Sequence, residues 1–167
     1  KKVLAIGEIG LDYYYKPKSK EKLIQFKEKQ KKVFLEQLDL AAQLHLPVIL
    51  HCRMAHDDVI EIIANHQLQI TNYKLIGVVH CFTGTLEQAK KYVALGFYLG
   101  FNGIIFKFNV DEVIKNISLD KILVETDCPY LTPPQETGKR NEPIFIKHII
   151  QKIADFKELG FEEVCKK

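Results

Sequence analysis

Four side chains with the chemistry of metal ligands stand at the ends of apolar runs. Val3 to Ile6 leads to Glu8, Pro47 to Leu50 leads to His51, Leu75 to Val79 leads to His80, and Lys121 to Val124 leads to Asp127. Two carboxylates and two imidazoles make a hard-to-borderline donor set, suited to Zn2+, Mn2+ or Mg2+ rather than to a soft thiolate site. A cation so held acidifies a bound water and polarises a carbonyl or phosphoryl oxygen. Taken singly, each residue has a plainer reading as a cap, a salt-bridge partner or a hydrogen-bonded strand end. Four such endings in succession point to a polynuclear metal site.

Cysteine follows three of the four, at Cys52, Cys81 and Cys128, so a Cys/His zinc site is the rival reading. Side chains alternate across a strand, and if His51 faces the site then Cys52 faces the opposite layer. The spacings also lack the paired-ligand pattern of zinc modules. These cysteines read as small packing residues. His45, His56, His66 and His148 fall on helices or their ends and read as structural or exposed.

The positioning elements follow from periodicity. Strands are expected at residues 2–6, 48–51, 74–79, 97–101 and in the stretch that begins at Lys121, and helices between them. Phe34, Leu38, Ala41 and Leu44 recur at helical spacing within 21–45. Asp57 and Asp58 suit the positive end of a helix carrying Val59, Ile60, Ile63 and Ala64 inward. Thr85 and Gln88 have capping-box spacing, which starts a helix near Leu86 that stops near Gly96. Pro143 suits the first turn of a last helix with Ile146, Ile149, Ile150 and Ile153 buried. Strand and helix alternate five times, and the strands are apolar throughout. That favours a parallel sheet covered by helices, with the site on the rim at the strands' carboxyl ends.

The totals agree with a single domain with a real core: 167 residues, 47% hydrophobic and 27% charged. No stretch approaches the length of a membrane-spanning helix. The net charge of +3 neither demands nor excludes an anionic partner. Of 24 basic residues only Arg53 and Arg140 are arginines, and both lie in or beside candidate segments. The guanidinium fork grips phosphate oxygens where lysine offers a mobile point charge. Lysines crowd residues 16–32; a solvated helix face is the leading reading there, a nucleic-acid backbone contact the alternative. A core of this size does not need disulfides, so the four cysteines suggest a reduced, cytoplasmic setting, or a nuclear one in a eukaryote.

Several segments together resemble the TatD family of metal-dependent deoxyribonucleases, within the amidohydrolase-like TIM (β/α)8 barrels. They are Gly7-Glu-Ile-Gly-Leu-Asp12, Leu50-His-Cys-Arg53 with Ala55 and Asp58, His80-Cys-Phe-Thr-Gly84, Tyr98-Leu-Gly100, Val124-Glu-Thr-Asp-Cys-Pro-Tyr-Leu131 and Arg140-Asn-Glu-Pro143. The resemblance implies that Glu8 bridges two metals, that His51 and His80 bind one, and that Asp127 binds the other and steers the attacking water. It implies hydrolysis of DNA phosphodiesters with two divalent ions, Mg2+, Mn2+ or Zn2+, in a complete protein. Arg53 and Arg140 suit phosphate contacts, and Tyr13 with its neighbours suits base stacking.

One departure matters. The family's first strand carries a His-x-His pair, and none occurs here. The pattern yields about five of eight βα units, where about 250 residues is typical of the barrel. Residues 1–167 are thus expected to form a single partial TatD-like hydrolase domain. Unpaired strand edges would predict aggregation, pairing with another copy, or a longer natural protein. Two other functions compete with the nuclease: an amidohydrolase-type hydrolase of amides or lactones, and a truncated barrel without catalysis.

Overall fold

The computed structural model describes residues 2–70 and 73–167. It divides into two compact units, residues 1–80 with 94–97 and residues 81–93 with 98–167. Five strands occur among the described residues, the number expected.

The first unit alternates β1 (Ile6–Asp12), α1 (Lys20–Leu44), β2 (Val48–Arg53), α2 (His56–Gln69) and β3 (Gly77–Val79). β1 runs parallel to β2, with Gly10 opposite His51 and Asp12 opposite Arg53, and β2 runs parallel to β3. Parallel neighbours need a crossover, which the two helices supply. Ile9, Leu11, Val48, Leu50 and Cys52 are buried together with Phe34, Leu38 and Ala41 of α1 and with Val59 and Ile63 of α2. The strands are not apolar on both faces: Ile49 and Arg53 are exposed and His51 is half-buried. That alternation carries the chemistry to the face away from the helices.

The start of β1 differs from expectation. Val3 and Leu4 are 59% and 76% exposed and precede the strand. Pro47 sets the limit: Ile6 N–H donates to the Pro47 carbonyl, and the partner strand begins only at Val48. Earlier residues have no ladder to join. Glu8 therefore lies inside β1, at the register shift between Ile6 and Ile9, rather than beyond its end.

The second unit holds α3 (Leu86–Ala94) and β4 (Phe97–Phe101) except for Ala94 and Phe97, then α4 (Asp111–Asn116), β5 (Ile122–Val124), α5 (Ile146–Lys157) and α6 (Phe161–Cys165). The capping box forms as expected: Thr85 N–H donates to Gln88 Oε1 at 3.0 Å and Gln88 N–H to Thr85 Oγ1 at 3.2 Å. β4 and β5 are parallel, with Phe101 opposite Val124. Phe82 meets Tyr92 and Phe101 edge-to-face, and Ile149 and Ile153 are buried along α5. Pro143 opens a short 3-10 turn, Pro143–Phe145, that feeds α5.

Candidate functional site

The pleat of β1 and β2 gathers Glu8, Asp12 and His51 on one face, and His80 follows β3 directly. Glu8 Oε1 lies 3.6 Å from His51 Nδ1 and 3.3 Å from His80 Nε2. The far side of the His51 ring is occupied as well, with Nε2 at 3.1 Å from Asp12 Oδ2. A carboxylate there accepts an Nε2–H, which leaves the Nδ1 lone pair directed at the Glu8 side. Asp12 is itself fixed. Its Oδ1 accepts the Tyr14 N–H at 2.8 Å, while the Gln30 side chain of α1 takes the Asp12 N–H and donates to the Asp12 carbonyl. Cys52 is buried on the other face, so it does not join His51 as a ligand.

Beside this cluster, Tyr13 is 5% exposed. Its hydroxyl donates to Asp58 Oδ2 at 2.7 Å, and the Lys27 ammonium sits 4.3 Å over its ring. Burial, then the bond to Asp58, push the Tyr13 hydroxyl well above the usual phenol range. Burial pushes the Asp58 carboxyl up, but the Tyr13 hydroxyl and the Lys31 ammonium, 3.0 Å away, outweigh it and hold that carboxyl below its ordinary value. Tyr13, expected to stack on substrate, is a packed and hydrogen-bonded residue. The open rings are its neighbours Tyr14 and Tyr15, and the Arg53 guanidinium lies 3.6 Å over Tyr14. His56 is buried, and desolvation lowers its pKa to about 4, so it is a neutral structural histidine.

In the second unit, Asp127 follows β5 in a left-handed backbone conformation, φ +57°, which aspartate tolerates better than most residues. Buried Asn141 braces that loop by donating its amide to the Thr126 carbonyl at 2.7 Å and to the Tyr130 carbonyl. Glu125 Oε1 accepts the Cys81 N–H at 2.8 Å and the Asn102 amide at 3.0 Å, fixing the residue that follows His80 in the chain. Gly103 allows a close backbone approach, because a Cβ there would stand 1.8 Å from the Leu131 carbonyl oxygen. Arg140 is exposed.

The structure thus brings Glu8, His51 and His80 together, with Arg53 at the next outward position on β2. Asp12, Glu125, Asn102 and Asn141 are positioning residues that the sequence reading did not single out. Asp12, Glu125 and Asn141 lie within quoted segments and Asn102 just past one, but their hydrogen bonds depend on how strands and loops pack. Among the described residues, no group of three or more His, Cys, Asp or Glu is arranged to hold a metal ion. One Glu8 oxygen meets each imidazole pairwise, and the second His51 nitrogen is turned to Asp12. The donors nonetheless fit a small divalent cation in type, and their 3.3 and 3.6 Å separations are near the ~3.4 Å between ligands of a tetrahedral Zn2+.

The chain is thus a parallel α/β framework with carboxylate and imidazole donors at its strands. The match to known proteins narrows it. Residues 1–167 match the family described as TatD related DNase, and the chain belongs to that family. It is 41% identical over 98% of its length to the metal-dependent hydrolase YabD of Bacillus subtilis. It is 39% identical over 98% of its length to the 3'-5' ssDNA/RNA exonuclease TatD of Escherichia fergusonii. The crystal structure of the TatD homologue YJJV from Escherichia coli superposes with a TM-score of 0.82 at 32% identity, over 98% of this chain and 60% of that one. The chain spans 61% of the length of both curated relatives. Among the described residues, no helix is long and apolar enough to cross a membrane.

Proposed function

We propose that the protein is a metal-dependent hydrolase that cleaves phosphodiester bonds of DNA, in the manner of a TatD deoxyribonuclease. The observation that carries this reading is the placement of Glu8 Oε1 between His51 Nδ1 and His80 Nε2, in a chain of the TatD family. Glu8, His51, His80 and Asp127 would hold divalent metal, Mg2+, Mn2+ or Zn2+, with two ions in the whole protein. When bound, such an ion supplies an acidified water and polarises a phosphoryl oxygen.

The chain's own residues do the rest. Asp12 keeps a proton on His51 Nε2, so that Nδ1 remains a donor. The Asp127 carboxylate accepts the proton of the attacking water. Arg53, and Arg140 from the exposed loop, bind the phosphate. The name of the Escherichia fergusonii relative supports a single-stranded substrate and extends it to RNA. The exposed free thiols Cys128 and Cys165 support a reducing, cytoplasmic setting.

The test is metal content of the purified protein, followed by hydrolysis of single-stranded DNA with Mg2+ or Mn2+ and with chelator. Turnover should require the ion. Asp127→Asn should abolish it in a folded protein. Wild-type turnover in that variant would remove Asp127 from the chemistry.

A further inference from the structure

The segment that links β1 to α1 begins with two aromatic rings left in water. Tyr14 is 48% and Tyr15 is 79% exposed, and their rings meet edge-to-face at 4.7 Å. Arg53, itself exposed, lies 3.6 Å over Tyr14 and 5.8 Å from Tyr15, a cation–π arrangement. Tyr14 is tied to the ligand cluster, because its N–H donates to the same Asp12 carboxylate that faces His51. The chain then runs Lys16-Pro-Lys-Ser-Lys20, with all three lysines exposed and no acidic residue between Asp12 and Glu21. Core packing needs neither ring, and no carboxylate balances the three ammonium groups within the segment.

We propose that Tyr14, Tyr15 and Arg53, with Lys16, Lys18 and Lys20, form a track for single-stranded nucleic acid leading into the Glu8–His51–His80 cluster. An unpaired base stacks on the tyrosine rings, Arg53 grips the adjoining phosphate, and the lysines follow the backbone outward. Exposed aromatics interleaved with cations suit a strand that offers both open base faces and phosphates. A duplex offers the phosphates but no base face. This deepens the phosphodiesterase reading and rests on it.

Fluorescence anisotropy of an end-labelled oligothymidine, with chelator present to prevent cleavage, tests the track. Tyr15→Ala should weaken binding about 5- to 150-fold, the range that loss of one stacked base gives. Tyr15→Phe should bind like wild type, and an abasic strand of equal length should not distinguish Tyr15→Ala from wild type. Replacing Lys16, Lys18 and Lys20 by alanine should flatten the slope of log affinity against log salt by about 2. Wild-type affinity in Tyr15→Ala, an equal loss on the abasic strand, or an unchanged salt slope in the triple variant overturns the proposal. Wild-type hydrolysis of bis(p-nitrophenyl) phosphate, a diester without bases, separates it from the parent reading. Turnover there with unaltered oligonucleotide binding by Tyr15→Ala sinks the track alone. No turnover of either that diester or DNA with any of the three ions sinks the phosphodiesterase reading itself.

Discussion

Asp12→Ala isolates the part of the site that acts through another residue. In the native chain Asp12 Oδ2 stands 3.1 Å from His51 Nε2, and the two side chains are 34% and 36% exposed. A hydrogen bond to a charged partner contributes ~1.5–3 kcal/mol when sheltered. Water competes at this exposure, which brings the figure to about 1.4 kcal/mol, or about tenfold in affinity. That agrees with the lower end of the roughly 10- to 100-fold loss typical when the partner of a ligating histidine is removed. Alanine leaves the Tyr14 N–H to solvent, and Gln30 still clamps the Asp12 peptide, so the fold should survive. Calorimetric titration with Mn2+ should show the affinity loss. Long-range 15N–1H correlation spectra should show His51 passing from a single Nε2–H tautomer to a mixture. Unchanged Mn2+ affinity together with an unchanged tautomer would refute the orienting role of Asp12.

Three further perturbations test the surrounding supports. Asp58 has a folded pKa below its unfolded one, so its contribution to stability is present above about pH 4 and is lost as pH falls through the folded value. Tyr13→Phe removes one source of that lowering; it should cost about 1 kcal/mol at pH 7 and make the acid-side loss shallower, as read by denaturant titration across pH. Asn141→Leu leaves the Thr126 and Tyr130 carbonyls without their donor, and should lower stability by about 1–3 kcal/mol in thermal unfolding while impairing turnover through the Asp127 loop. Gly103→Ala sets a Cβ 1.8 Å from the Leu131 oxygen and should destabilise by about 1–3 kcal/mol, since backbone rather than a flexible side chain must move. Wild-type melting in Gly103→Ala would show that the close approach is dispensable.

What the sequence revealed of this site, and what it concealed, divides along one physical line. The alternation of a strand is local, so His51 on the working face and Cys52 on the helix face were both legible in residues 48–53. The helices were legible too, because their apolar spacing and the Thr85–Gln88 box are written within one turn or a few. Register between strands is not local. The role of Asp12 depends on β1 and β2 pairing so that its carboxylate reaches across to His51, and the pairing is fixed by tertiary contacts. The same holds for Asn141 and Glu125, whose partners, backbone groups and for Glu125 also the Asn102 side chain, are identified only once the loops fold against them. Tyr13, Tyr14 and Tyr15 look equivalent as text; the fold separates them by giving Tyr13 the Asp58 carboxylate and leaving the other two open.

One glycine shows how narrow the register's margin is. Gly10 sits opposite His51 at φ +144°, and a Cβ there would fall 1.9 Å from the His51 carbonyl oxygen. Only a residue without a side chain permits β1 to approach β2 this closely. A slip of one residue would turn His51 toward the helices and bring Cys52 to the open face, exchanging an imidazole ligand for a thiol. The donor set of this face therefore depends on backbone proximity at Gly10 as much as on the ligands themselves.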